Sequence, residues 1–160
     1  MGSGKTTLGK RLANKLTIPF FDTDLEIEKK LGKTVIEIFK TDEESRFREM
    51  ESEILKQLKA KPALIATGGG LPCFGNNMQV LNQMGTTIYL QLSEKALYSR
   101  LKLQRTNRPL IANLSDKELM EFIHLKLTER ESVYMQSKII VDVLKLPLTA
   151  LVNNIKEIAP

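Results

Sequence analysis

The sequence predicts an α/β fold of three layers, in which helices cover both faces of a parallel sheet. Short apolar runs typical of buried strands alternate with longer segments of helical periodicity along the chain. A glycine-rich turn opens directly into the first of these helical segments. The length of 160 residues suits one domain over residues 1–160, and no internal repeat divides it.

The predicted elements follow one another with clear start and stop residues. Helices are expected over residues 8–16, 25–31, 35–39, 41–59, 94–104 and 148–158, and a further long helix opens at Ser115. Strands are expected over residues 19–22, 63–66, 86–92 and 138–143, and residues 106–113 have the composition of a loop. Thr41 with Glu44 and Ser115 with Glu118 have capping-box spacing, Ser93 starts a helix, and Gly32 ends one.

Composition excludes several classes of protein. The sequence is 42% hydrophobic and 27% charged, which is ordinary for a globular domain. No apolar run approaches membrane-spanning length and no secretory signal is seen, so we expect a cytoplasmic protein without a membrane partner. The single cysteine, Cys73, excludes a disulfide framework and suits a reducing compartment. A net charge of +5, with basic residues dispersed among acids, favours anionic small ligands over nucleic acid.

The first segment is a candidate phosphate loop made of Gly2, Ser3, Gly4, Lys5, Thr6 and Thr7. It matches the second half of the pattern G-x-x-x-x-G-K-[ST], in which backbone N–H groups surround nucleotide phosphates. In that pattern the lysine contacts the β- and γ-phosphates, and the following hydroxyl binds Mg²⁺. Free amides at a helix N-terminus also bind anions through the helix dipole. The run therefore predicts a site for a nucleoside triphosphate with Mg²⁺.

Two further polar clusters follow predicted strands. Asp22 and Asp24 come at the end of the first strand, and a glycine segment consisting of Gly68, Gly69 and Gly70 follows the second. Because ligands of parallel sheets bind at the carboxyl ends of the strands, the acids, the glycine segment and the phosphate loop should lie together. Three successive glycines indicate backbone close to a ligand, with a mobile turn as the alternative.

Five separated motifs resemble the shikimate kinase family, in that family's order and spacing, from the first residue to about residue 143. They are Asp22-Thr23-Asp24, Phe47-Arg48 with Glu51, Gly68-Gly69-Gly70, Arg108-Pro109-Leu110, and Arg130 four residues before Tyr134. The resemblance implies a P-loop kinase of the nucleoside monophosphate kinase type, with ATP and shikimate as substrates. It implies transfer of the γ-phosphate to the 3-hydroxyl of shikimate, on the route to chorismate and the aromatic amino acids. We also expect a monomer.

The resemblance implies roles on the nucleotide side. Lys5 would neutralise charge on the phosphates, and Thr6 with Asp22 would hold Mg²⁺. The alternative for Asp22 is a turn aspartate that caps the next helix. Arg108 resembles the arginine of the family's lid, here about residues 105–114, and would bind ATP and stabilise charge in the transition state. Arg105 would lie against the adenine.

The resemblance also implies roles on the acceptor side, within a helical region over residues 24–59 and beyond it. Asp24 would orient the attacking hydroxyl, with an N-cap as the alternative. Arg48 and Arg130 would bind the substrate carboxylate, because arginine binds carboxylates bidentately. A surface pair of Arg48 with Glu44 or Glu51 is the alternative. A glycine amide of residues 68–70 would face the substrate, and His124 is expected to be structural.

One part of the family pattern is absent. The first glycine of the phosphate loop and the strand before it would precede Met1. In the family this strand is central, so a gap of unpaired backbone groups is expected between the strands over 63–66 and 86–92. Either the native start lies upstream, or the sheet closes differently and the loop is poorly fixed. Two other functions stay open: a gluconate kinase-like enzyme, and a non-catalytic nucleotide-binding module.

Overall fold

The computed structural model describes residues 2–40, 44–58, 62–105 and 108–158. The helices are α1 (Lys5–Leu16), α2 (Thr23–Leu31), α3 (Val35–Lys40), α4 (Glu44–Leu58), α5 (Asn77–Met84), α6 (Glu94–Leu103), α7 (Pro109–Ala112), α8 (Asp116–Tyr134) and α9 (Leu148–Ile158). The strands are β1 (Phe20–Asp22), β2 (Leu64–Ala66), β3 (Ile88–Gln91) and β4 (Ile139–Asp142), and a short 3₁₀ helix spans Leu71–Cys73. Within these ranges, no helix combines the length and the apolar character needed to cross a membrane.

The described strands form two parallel pairs. β1 pairs with β2 in a register that runs from Phe20 and Leu64 to Asp22 and Ala66. β3 pairs with β4 along their whole length. Parallel neighbours need a helical crossover, which α2–α4 supply for the first pair and α6–α8 for the second. In the described part of the chain no ladder joins β2 to β3. The expectation that the central strand of the family is missing at this point stays a prediction.

One apolar core holds both strand pairs. Its buried members are Leu12 of α1, Val141 of β4, and Leu151 and Val152 of α9. Leu64 of β2 and Ile88 of β3 both pack against these residues, so the two pairs lie on the same cluster. Burial of each such side chain contributes roughly 1.5–3 kcal/mol, which fixes α1 against the strands.

Two further clusters position the helices that carry the candidate site. Ile27, Ile38, Phe47 and Ile54 join α2, α3 and α4. A second set joins α6, α7 and α8, and it consists of Leu92, Leu97, Leu101, Ile111, Leu119 and Ile123. Because Asp24 lies on α2 and Arg48 on α4, the first cluster sets the separation of these two side chains.

Several helix ends agree with the sequence. Ser115 and Glu118 form the predicted capping box: the Ser115 Oγ accepts the Glu118 N–H at 3.3 Å, and the Ser115 N–H donates to Glu118 Oε2 at 2.7 Å. Ser93 caps α6, and Gly32 follows α2 with a φ angle of 64°. Helix α9 has the predicted bounds. The capping box expected at Thr41 lies outside the described residues.

Other elements differ from the prediction. Residues 109–112 were expected in a loop, yet they form α7, because Pro109 suits the first turn and Ile111 is fully buried. Helix α2 begins at Thr23, two residues earlier than predicted. The 3₁₀ helix and α5 were not predicted. Only Met78 of α5 is buried, so its apolar periodicity is weak.

Candidate active site

The phosphate loop, residues 2–7, uses left-handed glycines to enter α1. Gly2 and Gly4 have φ angles of 76° and 89°, which a glycine adopts without the strain that a side chain would add. Gly4 is the residue before α1, and its carbonyl accepts the N–H of Leu8 at 2.9 Å. The N–H groups of the first turn of α1 point out of the helix beside Lys5, and they are available to an anion.

Arg100, on α6, holds the phosphate loop from outside. Its Nη1 donates a hydrogen bond to the Ser3 carbonyl at 3.1 Å, and a Cβ at Gly4 would lie 3.6 Å from the same nitrogen. The next residue, Leu101, packs against Gly2, where a Cβ would lie 3.0 Å from the leucine Cγ. Sequence reasoning missed Arg100. A sequence signal for it was present, because Arg100 directly precedes the core residue Leu101, which places its positive charge at the edge of the core.

Thr6 and Asp22, the predicted metal-binding pair, are directly bonded. The Thr6 hydroxyl donates to Asp22 Oδ2 at 2.7 Å, while Asp22 Oδ1 accepts the N–H of Asp24 at 3.2 Å. Asp22 is therefore also the N-cap of α2, which confirms the alternative role expected for it, that of a turn aspartate capping the next helix. The N-cap alternative for Asp24 is wrong, because α2 begins at Thr23 and includes Asp24 in its first turn.

Asp24 lies between the phosphate loop and the glycine segment, residues 68–70. Burial raises the pKa of its carboxyl group, an effect that the positive charge of Lys5 partly opposes. The charge of Arg48 acts in the same direction as that of Lys5. Asp24 Oδ1 lies so close to Gly68 that a Cβ there would be only 2.6 Å away. Cations from α1 and from α4 therefore act on one carboxylate.

Arg48 forms a buried ion pair with Glu51. Arg48 Nη1 lies 2.7 Å from Glu51 Oε2, and the two side chains are 15% and 1% exposed. Burial raises the pKa of Glu51, and the hydrogen bond from Arg48 opposes that rise. The expected alternative, an exposed surface pair, is wrong because both partners are withdrawn from solvent. The other oxygen, Glu51 Oε1, is buried without a hydrogen-bond partner among the described residues.

The Arg48 guanidinium is further fixed by aromatic rings and by the glycine segment. Its carbon lies 5.7 Å from the centroid of Phe39 and 5.5 Å from that of Phe47. A Cβ at Gly70 would lie 2.6 Å from Arg48 Nη1, so a side chain there would displace the guanidinium from this position. Glycine at residue 70 thus leaves room for the present position of Arg48.

Arg130, on α8, acts on three titratable groups near the glycine segment. Burial raises the pKa values of Cys73 and Tyr134, and the charge of Arg130 opposes both rises. Arg130 acts in the same way on Glu51. The arginines of α4 and α8, which the sequence singled out, thus both act on the carboxyl group of Glu51.

The predicted lid has its own contacts. Arg108 Nη2 donates to Gln104 Oε1 at 3.3 Å, and in the described ranges no hydrogen bond or ion pair joins Arg108 to the phosphate loop. Arg105 Nη2 pairs with Asp116 Oδ1 at 2.6 Å, and Lys102 also binds this carboxylate. The paired cations hold the pKa of Asp116 well below its usual range. The lid arginine therefore stands apart from the other predicted site residues.

The residues present suit Mg²⁺ only as part of a larger shell. Among the described residues, no group of three or more histidine, cysteine, aspartate or glutamate side chains could hold a metal ion. Thr6 and Asp22 offer a hydroxyl and a carboxylate that are already adjacent. This oxygen-only pair fits Mg²⁺, which takes few protein ligands and retains several waters.

The arrangement defines a class of protein. A lysine-bearing glycine loop that enters a helix, with a threonine bonded to an aspartate at the end of a parallel strand, is typical of a P-loop phosphotransferase. The family model of shikimate kinase matches residues 1–159. The chain belongs to the shikimate kinase family.

Individual relatives and solved structures agree with this assignment. The shikimate kinase of Bacteroides fragilis is 44% identical over 141 residues, which are 88% of this chain and 79% of that protein. The crystal structure of shikimate kinase from Bacteroides thetaiotaomicron superposes with a TM-score of 0.88 at 38% identity, covering 98% of this chain and 92% of the other. Shikimate kinase from Acinetobacter baumannii in complex with shikimate gives 0.83 at 30% identity, over 98% and 87%. The predicted family and its α/β P-loop kinase fold are confirmed.

Proposed function

We propose that this chain transfers the γ-phosphate of ATP to the 3-hydroxyl of shikimate, with 3-phosphoshikimate and ADP as products. The step belongs to the biosynthesis of chorismate and the aromatic amino acids. The observation that carries the proposal is the position of Asp24: Thr6 of the phosphate loop is bonded to Asp22, two residues before it, and Asp24 faces Gly68 together with Glu51, the partner of Arg48. A triphosphate can therefore lie on one side of this acid and an acidic acceptor on the other. Membership of the shikimate kinase family supports the same substrates.

On the nucleotide side, the amides of residues 2–7 bind the phosphates of ATP. Lys5 is a point charge on the β- and γ-phosphates, where negative charge increases as the phosphoryl group leaves. Arg100 adds a second cation, and its hydrogen bond to the Ser3 carbonyl keeps the loop in shape. Thr7, which is exposed at the start of α1, contributes its backbone amide.

Mg²⁺ would be held by Thr6 and, directly or through water, by Asp22. The ion supplies charge neutralisation on the phosphate oxygens when it is bound. The hydrogen bond from the Thr6 hydroxyl to Asp22 fixes the direction of the threonine oxygen, so its lone pairs remain available. Asp22 combines this role with the capping of α2.

On the acceptor side, Arg48 and Arg130 bind the shikimate carboxylate. The ion pair with Glu51 fixes the plane of the Arg48 guanidinium, and such a planar fork matches the geometry of a carboxylate. Glu51 is buried, its second oxygen faces the glycine segment, and its ion pair holds Arg48 in place. The Gly68 N–H is already bonded to Thr23 Oγ1, so the amides of Gly69 and Gly70 are the ones that would face the acceptor.

Asp24 orients the attacking hydroxyl by accepting its hydrogen bond. The oxygen forms a bond to the γ-phosphorus, the bond from that phosphorus to the β-bridging oxygen breaks, and ADP leaves with the electron pair. The hydroxyl proton passes to Asp24, whose raised pKa makes it a better base than an exposed aspartate. Positioning contributes more than proton removal, because the transition state of phosphoryl transfer is loose.

The lid over residues 105–114 would close over the nucleotide and exclude water. Arg108 then moves from Gln104 to the phosphates, where an arginine stabilises the charge of the transition state. Arg105 would turn from Asp116 to the adenine face. Residues 24–59 form the acceptor-binding region of what we propose is a single domain over residues 1–160.

The oligomeric state, the compartment and the ligands of the enzyme are part of the proposal. We propose a monomer in the cytoplasm, where ATP is abundant and the free thiol of Cys73 stays reduced. Shikimate and ATP are its ligands, and neither nucleic acid nor a membrane is a partner. The dispersed charge of the surface supports this view.

A substrate panel tests the proposed function. ADP release is measured by a coupled assay with Mg²⁺, ATP and either shikimate or gluconate as acceptor, and the product is identified by mass spectrometry. We expect turnover with shikimate, no turnover with gluconate, and a loss of at least roughly 100-fold in Lys5→Met. Lys10→Met is the matched control, because Lys10 is an exposed lysine of the same helix.

The outcomes separate the competing functions. Turnover with gluconate alone would identify a gluconate kinase-like enzyme. ATP binding without any phosphorylated product would identify a non-catalytic nucleotide-binding module. Equal activity of Lys5→Met and Lys10→Met would contradict the placement of the triphosphate on the phosphate loop.

A further inference from the structure

Two side chains without a role in the scheme above hold the backbone of the glycine segment. The Gly68 N–H donates to Thr23 Oγ1 at 3.1 Å, and the Gly69 carbonyl accepts the Tyr134 hydroxyl at 2.6 Å. The partners are 45 and 65 positions apart in the sequence. The segment is therefore bonded to the start of α2 on one side and to the end of α8 on the other.

Each of these side chains belongs to an element that carries a proposed acceptor-binding residue. Thr23 directly precedes Asp24. Tyr134 follows Arg130 by four residues on α8, so both side chains lie on the same face of that helix. The two hydrogen bonds thus link Asp24 to Arg130 through the backbone of the glycine segment.

The glycine segment has little free space beside it. A Cβ at Gly68 would lie 2.6 Å from Asp24 Oδ1, and a Cβ at Gly70 would lie 2.6 Å from Arg48 Nη1. Asp24 and Arg48 thus occupy the space that side chains at residues 68 and 70 would fill, so both pack directly on the backbone of the segment. The position of the segment therefore sets the geometry of the acceptor site.

We propose that Thr23 and Tyr134 are positioning residues, whose hydrogen bonds to the glycine segment set the spacing between Asp24 and Arg130. The proposal rests on the proposed function and adds two residues to it. Neither side chain touches a substrate in this scheme. Both act through the backbone of Gly68 and Gly69, and they complete a frame around the acceptor carboxylate and the attacking hydroxyl.

The surroundings of both side chains suit this role. Thr23 is fully buried, and its hydroxyl oxygen is the acceptor for a buried N–H group. The ring of Tyr134 packs against Tyr89 with a centroid separation of 5.1 Å. Burial raises the pKa of Tyr134, so its hydroxyl stays protonated and remains a donor at neutral pH. The Thr23 hydroxyl therefore accepts from the glycine segment, and the Tyr134 hydroxyl donates to it.

Tyr134→Phe tests the donor while the ring stays in place. Its steady-state kinetics are measured with shikimate varied at saturating ATP, and with ATP varied at saturating shikimate. We expect the KM for shikimate to rise roughly three- to tenfold, as for the loss of one neutral hydrogen bond. The KM for ATP should stay within about twofold, because the phosphate loop is not bonded to Tyr134. Tyr98→Phe, on α6, makes the same chemical change elsewhere and should alter neither KM.

Thr23 supplies an independent pair of variants. Thr23→Val keeps the shape of the side chain and removes the acceptor, whereas Thr23→Ser keeps the hydroxyl. We expect Thr23→Val to raise the KM for shikimate more than the KM for ATP, and Thr23→Ser to restore the value of the unmodified chain to within about twofold. If Tyr134→Phe does not fold, the two Thr23 variants still test the proposed positioning role.

Other results of these experiments would overturn the proposal. A shikimate KM that stays unchanged in Tyr134→Phe and in Thr23→Val overturns the proposal. A parallel rise of both KM values also overturns it, because that pattern marks a general effect on the fold. Absence of shikimate turnover in the unmodified chain would overturn the proposed function and this inference together. An active unmodified chain with unaffected variants would contradict the inference alone.

Discussion

Arg48 is held in one orientation by Glu51 on one side and by two aromatic rings on the other. Lysine at this position would keep the charge but would lose the planar fork that matches a carboxylate. For Arg48→Lys we expect the KM for shikimate to rise about tenfold or more, and the KM for ATP to change little. Steady-state kinetics with each substrate varied in turn measure both values. Arg46→Lys, at an exposed position of the same helix, is the control, and an equal effect there would contradict the assignment.

Asp24 gives a prediction about pH. Since burial raises the pKa of its carboxyl group, the folded protein binds this proton more tightly than the unfolded chain. The contribution of Asp24 to stability therefore falls as the pH rises from the ordinary value of 3.8 through the raised pKa. Asp24→Asn should melt at a higher temperature than the unmodified chain at pH 7, while its kinase activity is lost.

The pH dependence separates this explanation from a general effect of the substitution. The difference in melting temperature should shrink as the pH is lowered through the pKa of Asp24, because the native carboxyl group then becomes neutral as well. Thermal unfolding followed by circular dichroism between pH 4 and pH 7 measures it. A less stable Asp24→Asn at pH 7 would show that the attraction of Lys5 outweighs the effect of burial.

Single residues differ in how far the sequence could identify them. Asp24, Arg48 and Arg130 belong to motifs with fixed spacing, so the sequence singled them out. It could not show that the Arg48–Glu51 pair is buried, because that burial depends on the packing of α2 against α4. Arg100 was missed for a similar reason. Its partner, the Ser3 carbonyl, lies 97 positions away.

At the scale of one element, the capping box of α8 can be tested directly. Ser115→Ala removes the acceptor for a backbone N–H group in the first turn, and it should lower the free energy of unfolding by about 1 kcal/mol. Urea denaturation measures the change. Ser99→Ala is the control, because the Ser99 hydroxyl only bonds back to the Lys95 carbonyl inside α6. A loss in Ser99→Ala as large as that in Ser115→Ala would contradict the capping argument.

The glycine segment gives a second prediction at this scale. A Cβ at Gly68 would lie 2.6 Å from Asp24 Oδ1, so Gly68→Ala must displace the carboxylate. We expect kcat/KM for shikimate to fall roughly 10- to 100-fold, since small misplacements of catalytic groups have effects of this size. Gly85→Ala is the matched control, because no atom lies within 4 Å of its added Cβ. Retained activity in Gly68→Ala would show that Asp24 does not need its present position.

Elements were predictable where the signal is local. Helix α8 and its capping box, the end of α2 at Gly32 and the full span of α9 follow from residues within one or two turns. Helix α7 was not predictable, because its four residues are stabilised by the burial of Ile111 against other helices. Helix α5 has one buried residue, Met78, and therefore lacks a clear apolar period.

At the scale of the whole molecule, the register of β1 with β2 explains why the predicted clusters converge. Asp22 is paired with Ala66, so the acids after β1 and the glycine segment after β2 leave the sheet at the same edge. This convergence was predictable from the rule for parallel sheets. The contribution of α8 was predictable only through its motif, because the path of this helix within the crossover from β3 to β4 depends on tertiary packing.

The pairing of the strands could not be predicted from the rule for parallel sheets. The sequence indicated parallel strands but not which of them pair, and the described strands form two ladders over a shared core. The contacts of α1 with both β1 and β2 place the phosphate loop next to the acids. The position of the phosphate loop relative to the acids therefore depends on α1 as much as on the strands.

The structure of this chain with shikimate and a non-hydrolysable ATP analogue tests the central claim most directly. We expect the shikimate carboxylate to contact Arg48 and Arg130, and the 3-hydroxyl to lie next to Asp24. The triphosphate should bind residues 2–7 beside Lys5. A bound acid without contact to either arginine, or a triphosphate remote from Lys5, would contradict it.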